Sequence, residues 1–147
     1  SYLLEKAEYY CSRAEKCPDD IHRYLSKYTD NKKIINRIIN DLLANKYLDI
    51  NRYIKAYIND KIKYDKWGRY KIAYSLKQKK LPEKIVNDVL SQIDMEEYRN
   101  ILKDLIKSKS AVIRETDLSK RKVALTRFCV GRGYEYEMIC HILDGLE

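Results

Sequence analysis

Arg69, Lys71, Lys77, Lys79 and Lys80 stand close together in the chain, and Lys120, Arg121, Lys122, Arg127 and Arg132 form a second group further on. From Lys61 to Lys84 there are nine Lys/Arg and two acids, Asp65 and Glu83, a net of +7. From Lys103 to Arg132 there are nine Lys/Arg and three acids, Asp104, Glu115 and Asp117, a net of +6. Cations at that density can neutralise phosphates and release their counterions, which makes binding strongly salt-dependent. They suit an acidic partner, such as nucleic acid or a nucleoprotein surface. The competing reading is an ordinary solvated face on a lysine-rich protein, whose 147 residues carry a net charge of +8.

Other chemistry is thinly represented. His22 and His141 lie far apart, and a lone helical histidine makes a poor general base. Cys11, Cys17, Cys129 and Cys140 form no CxxC pair, and Cys140 and His141, being adjacent, point different ways on a helix. Zinc needs clustered ligands, so no metal is expected and the thiols read as small reduced core groups. Gly131 and Gly133 fall short of any phosphate-binding loop. The acids are scattered as helix caps. No catalytic residue, cofactor or enzymatic activity is expected. The 14 tyrosines could stack on bases, but Tyr53, Tyr57 and Tyr98 have core spacing, leaving Tyr70 and Tyr74 as candidates for exposure.

The elements that must position these residues are helices. Only four glycines and two prolines are present, too few for the turns of a strand-rich fold. From Leu76, steps of nine, thirteen, fourteen and seventeen residues reach Ile85, Val89, Leu90 and Ile93. The same steps from Leu25 reach Ile34, Ile38, Ile39 and Leu42, and from Cys129 they reach Met138, Ile142, Leu143 and Leu146. Four residues before each start lie Ile21, Ile72 and Leu125. This is an internal repeat, with starts 51 and 53 residues apart (76 − 25 and 129 − 76).

The expected fold is all-α: three tandem three-helix repeats, 1–47, 48–93 and 94–147, stacked into an elongated, curved array. Pro18 and Pro82 are expected to open helices, and Asp30, Asp49 and Asp94 to cap them. The third helix should run to about Lys46, Gly133 should end another in a left-handed conformation, and part of 107–119 should be loop. Apolar runs are too short to cross a bilayer. Ser1 to Ala14 is charged and amphipathic rather than a leader, so a cytosolic protein without membrane contact is expected.

Three stretches resemble the RecX-type regulatory proteins, modulators of the RecA recombinase. Tyr47-Leu48-Asp49 with Arg52-Tyr53 and Ala56-Tyr57-Ile58 is similar to that family's YLDD stretch. Gly68-Arg69 leading to Leu76-Lys77-Gln78-Lys79-Lys80-Leu81 is similar to its central glycine-to-KG unit, and Arg132-Gly133-Tyr134 to its closing RGF unit. Ile50 departs from the second acid of YLDD, Ile54 from a usual alanine, and Lys80 from the glycine of KG. The segment before Ser1 is expected to be short relative to many members. The resemblance implies a non-enzymatic protein, expected as a monomer, that lies in the groove of the RecA nucleoprotein filament and suppresses its ATPase, strand-exchange and co-protease activities. Some members also bind DNA, and a direct single- or double-stranded nucleic-acid module is the alternative reading.

Overall fold

The computed structural model describes residues 1–146, with side chains described through Gly145. Among them are nine helices and no strand: α1 (Tyr2–Arg13), α2 (Pro18–Leu25), α3 (Lys32–Ala44), α4 (Ile50–Lys63), α5 (Arg69–Gln78), α6 (Glu83–Ser91), α7 (Met95–Val112), α8 (Leu118–Gly131) and α9 (Tyr136–Leu146). Helix starts follow side-chain chemistry. Asp49 accepts from the Arg52 amide, Asp94 from Glu96 and Glu97, and Asp117 from Lys120. Each satisfies a donor that the first turn leaves without a partner.

Several boundaries differ from the sequence expectation. The cap of α3 is Asn31, not Asp30, because its amide oxygen reaches the Lys33 and Ile34 amides. The same helix stops at Ala44, since Lys46 turns left-handed at φ 62° and the Leu48 amide folds back to the Leu42 carbonyl. Pro82 is the N-cap of α6 rather than its first helical residue. Helix α7 continues to Val112, leaving only a short connection before α8. Arg121 braces that connection from α8 by donating to the Ser110, Ile113 and Glu115 carbonyls.

The helices pack in triplets: α1 with α2 and α3, α4 with α5 and α6, α7 with α8 and α9, with α4 also against α7. The repeat template places the core face one residue off. Ile34, Ile85 and Met138 lie at its rim, whereas their successors Ile35, Val86 and Ile139 are buried. The remaining positions hold the core, although Val89 and Ile93 are half-buried and the Leu146 side chain lies outside the described residues. The chain exposes 9710 Å², against about 7,900 Å² for a compact protein of its mass. The array is therefore elongated.

Two helices end alike. After α5 the Lys80 amide donates to the Lys77 carbonyl and the Leu81 amide to Leu76. After α8 Gly133 donates to Val130 and Tyr134 to Cys129. Both are Schellman closures, which need a left-handed residue, φ 97° at Gly133 and φ 61° at Lys80. A side chain there costs about 1–2 kcal/mol, partly offset by the greater freedom a glycine has when unfolded. Lys80→Gly is therefore expected to stabilise the protein by about 0.5–1 kcal/mol in urea denaturation. A destabilised variant would contradict this account of the turn.

Candidate functional site

The middle helices of the triplets are linked end to end. At the C-terminus of α8, the Arg132 carbonyl accepts from the Gly68 amide at 2.7 Å and the Gly133 carbonyl from Tyr70 at 3.0 Å. These donors belong to the first turn of α5. At the C-terminus of α5, Lys79 Nζ donates to Asp20 Oδ1 at 3.0 Å, beside the first turn of α2. The carbonyl end of α8 thus faces the amide end of α5, a favourable alignment of helix dipoles.

Backbone contact between α8 and α5 depends on two glycines. A Cβ on Gly68 would overlap the Gly133 and Tyr134 backbone, and one on Gly133 would overlap Lys71. Unit three grips the turn before α5 from the same place. Arg132 donates to the Asp65 carbonyl and the Tyr134 hydroxyl to the Lys66 carbonyl, each at 3.0 Å. Next to them Glu135 accepts from the Tyr98 hydroxyl at 2.6 Å and from Arg69 Nε at 2.5 Å. The Arg69 amide donates in turn to the Tyr98 oxygen at 2.8 Å. The arginine, glycine and tyrosine at 132–134 thus form a clasp between triplets.

This geometry sorts the basic residues that the sequence singles out. Arg69 and Arg132 belong to the clasp. Lys79 is held against Asp20: burial opposes its charge, but the hydrogen bond and charge of Asp20 prevail and raise its pKa. Asp20 is itself held below the usual carboxylate range despite burial, by the Cys17 amide and by Lys79. Arg121 braces its loop, and Lys122 pairs with Asp144 at 2.7 Å. Lys71 is half-buried, its ammonium 4.5 Å from the Trp67 ring, which Lys61 approaches at the same distance. Lys77, Lys80, Lys120 and Arg127 are exposed.

Those exposed cations do not stand alone. On α5, Tyr70 (68% exposed) and Tyr74 (66% exposed) share a face with Lys77 at i, i+4 and i+7. On α8, Lys120, Val123, Arg127 and Val130 share an exposed face. The C-terminus of α8 abuts the first turn of α5. An aromatic and basic surface of this kind can meet phosphates with its cations and planar or apolar groups with its rings. Sequence reasoning missed Arg52, whose Nε donates to Glu15 at 2.6 Å and whose NH2 reaches the Lys46 and Tyr47 carbonyls. Its place in the YLD stretch was the available signal. Among the described residues no helix is long and apolar enough to cross a membrane.

Fold and clasp together define an all-α protein of tandem three-helix domains joined through their middle helices. Residues 51–90 match the second three-helix domain of RecX. The regulatory protein RecX of Clostridium tetani is 33% identical over 126 residues, covering 84% of this chain and 57% of that protein. Its counterpart in Clostridium acetobutylicum is 31% identical over 146 residues, covering 97% of this chain and 67% of that protein. The chain belongs to the RecX family of regulatory proteins, and spans between about half and two thirds of the length of such relatives. Its fold is shared by a crystal structure of regulatory protein RecX, with TM-score 0.85, 21% identity, and coverage of 97% of this chain and 73% of that one. RecX from Lactobacillus salivarius gives TM-score 0.84 and 16% identity, covering 99% of this chain and 94% of that one.

Proposed function

We propose that this chain is a negative regulator of the RecA recombinase, lying in the groove of the RecA–DNA filament and restraining ATP hydrolysis, strand exchange and co-protease activity. Family membership supports the regulatory role. The observation that carries the rest is the exposed Tyr70, Tyr74 and Lys77 face of α5, together with exposed Lys120 and Arg127 on α8, on an elongated body. Units 1–47, 48–93 and 94–147 would lie along the filament as a monomeric wedge in the cytoplasm. Lys77, Lys80, Lys120 and Arg127 would meet the acidic filament surface directly. Arg69, Lys71, Lys79, Arg121, Lys122 and Arg132 would act chiefly by fixing the shape of the array.

The test is ATP hydrolysis by the cognate RecA on single-stranded DNA, with this protein titrated in at fixed salt. Inhibition well below saturation of the DNA is expected. The combined charge reversal Lys77→Glu/Arg127→Glu should raise the inhibitory concentration by about tenfold or more while leaving the melting curve unchanged, since both residues are exposed. Tight, salt-sensitive DNA binding without inhibition would instead favour a direct nucleic-acid module.

A further inference from the structure

We propose that the protein is two bodies joined by a hinge at Asp49: α1–α3 swing as a unit against a rigid α4–α9, and Cys17 is the buried group that the swing uncovers. The first observation is the division of the core. Ala7, Ile21, Leu25, Ile35, Leu42 and Leu48 are among the residues of a cluster confined to the first triplet. The other two triplets share a single cluster, from Ile54 and Ile72 through Tyr98 and Leu102 to Ile139. Apolar burial therefore fuses α4–α9, but hardly crosses from α1–α3.

What crosses is mostly polar and local. Lys79 reaches Asp20, and Arg52 reaches Glu15. Cys17, fully buried at the start of α2, belongs to the large cluster and lies beside Tyr53. No backbone hydrogen bond between α1–α3 and α5–α9 accompanies them among the described residues, in contrast to the paired amides at the Gly68–Gly133 contact.

The pivot follows from the chain path. Leu48 is anchored in the first cluster, and its amide is bonded to the Leu42 carbonyl. Ile50 already packs on the second cluster. Asp49 between them is extended, at φ −145° and ψ 112°. Arg52 spans this residue, holding Glu15 and the Lys46 and Tyr47 carbonyls from the first turn of α4. Regions joined by few apolar contacts open at lower free energy than the global fold.

The cysteines supply the test. In a Cys11→Ser/Cys140→Ser background, two thiols remain, both fully buried: Cys17 at the seam and Cys129 in the shared core. Under native conditions an aromatic disulfide reagent is expected to label Cys17 at least about tenfold faster than Cys129. Lys79→Met removes the link to Asp20 but leaves the cap of α2 intact. It should speed Cys17 labelling by about tenfold, the loss of one charge-assisted hydrogen bond, and leave Cys129 unchanged. Hydrogen exchange at the Ile35 and Ile38 amides of α3 should stay as slow as in the parent. Equal labelling of the two thiols would overturn the proposal. So would α3 amides that accelerate together with Cys17, which would mean that the first triplet melts rather than swings.

Discussion

Gly68→Ala is expected to lower stability by about 3 kcal/mol, and Gly133→Ala by about 4 kcal/mol. At Gly68 the added methyl meets the main chain of Gly133 and Tyr134, which cannot rotate away as a flexible side chain could. Relief requires α5 to move off α8, breaking the Gly68–Arg132 and Tyr70–Gly133 hydrogen bonds. Gly133→Ala adds a left-handed backbone at φ 97° to the clash with Lys71. For a chain of this length, such losses lower the melting temperature by roughly 6–16 °C. Circular dichroism melts would measure it. The control is Gly131→Ala: no atom crowds that position, which lies in the last turn of α8, so alanine should be neutral or mildly stabilising. If all three variants melted within about 2 °C of the parent, the close approach of the two triplets would be wrong.

The second large effect is alkaline unfolding. Tyr53, Tyr98 and Tyr134 are 6%, 1% and 2% exposed. Burial raises all three pKa values, and at Tyr98 the hydrogen bond to Glu135 adds to it. A group whose folded pKa exceeds its unfolded value stabilises the fold fully below the unfolded pKa, and that stability is lost as pH rises above it. The window here opens near pH 10. Each such tyrosine then removes about 1.4 kcal/mol per pH unit, so three remove about 4 kcal/mol per unit. A domain stable by about 5–15 kcal/mol should therefore unfold within a few pH units above 10. The expected observation is a cooperative loss of helicity that coincides with a cooperative step in phenolate absorbance. Tyr98→Phe should make that transition shallower. Gradual phenolate absorbance uncoupled from helicity would show that these rings reach solvent in the folded protein.

Helical periodicity carried most of the architecture. The spacing of Ile21, Leu25, Ile38 and Leu42, and of their counterparts, identifies the triplets because a helix can bury only one stripe. Ends were less legible, since whether Asp30 or Asn31 caps α3 depends on one backbone torsion. The inner edge of the third helix in each triplet was misplaced by one residue, because both Ile34 and Ile35 are apolar and only the packing partner decides. The junction was hidden for a different reason. Gly68 and Gly133 meet across 65 residues, 133 − 68, and Arg69 and Glu135 across 66. Local pattern cannot reveal such pairs, so cations that close the clasp look identical in sequence to cations facing solvent. The exposure of Tyr70 and Tyr74, by contrast, followed from their place off the Ile72–Leu76 stripe.

The separate core of the first triplet bears on how the chain is made. A nascent polypeptide leaves the ribosome N-terminus first, and domains generally fold as units in that order. Once residues through Leu48 have emerged, Ile21, Leu25, Ile35 and Leu42 already have every partner of their own cluster. They can close without waiting. Helices α4–α6 have no such independence, because Ile54, Ile72 and Leu76 belong to a cluster completed by Leu102, Cys129 and Ile139. The middle of the chain must stay incompletely buried until the last helix has been synthesised, and its exposed aliphatic surface during that interval is where a chaperone would bind.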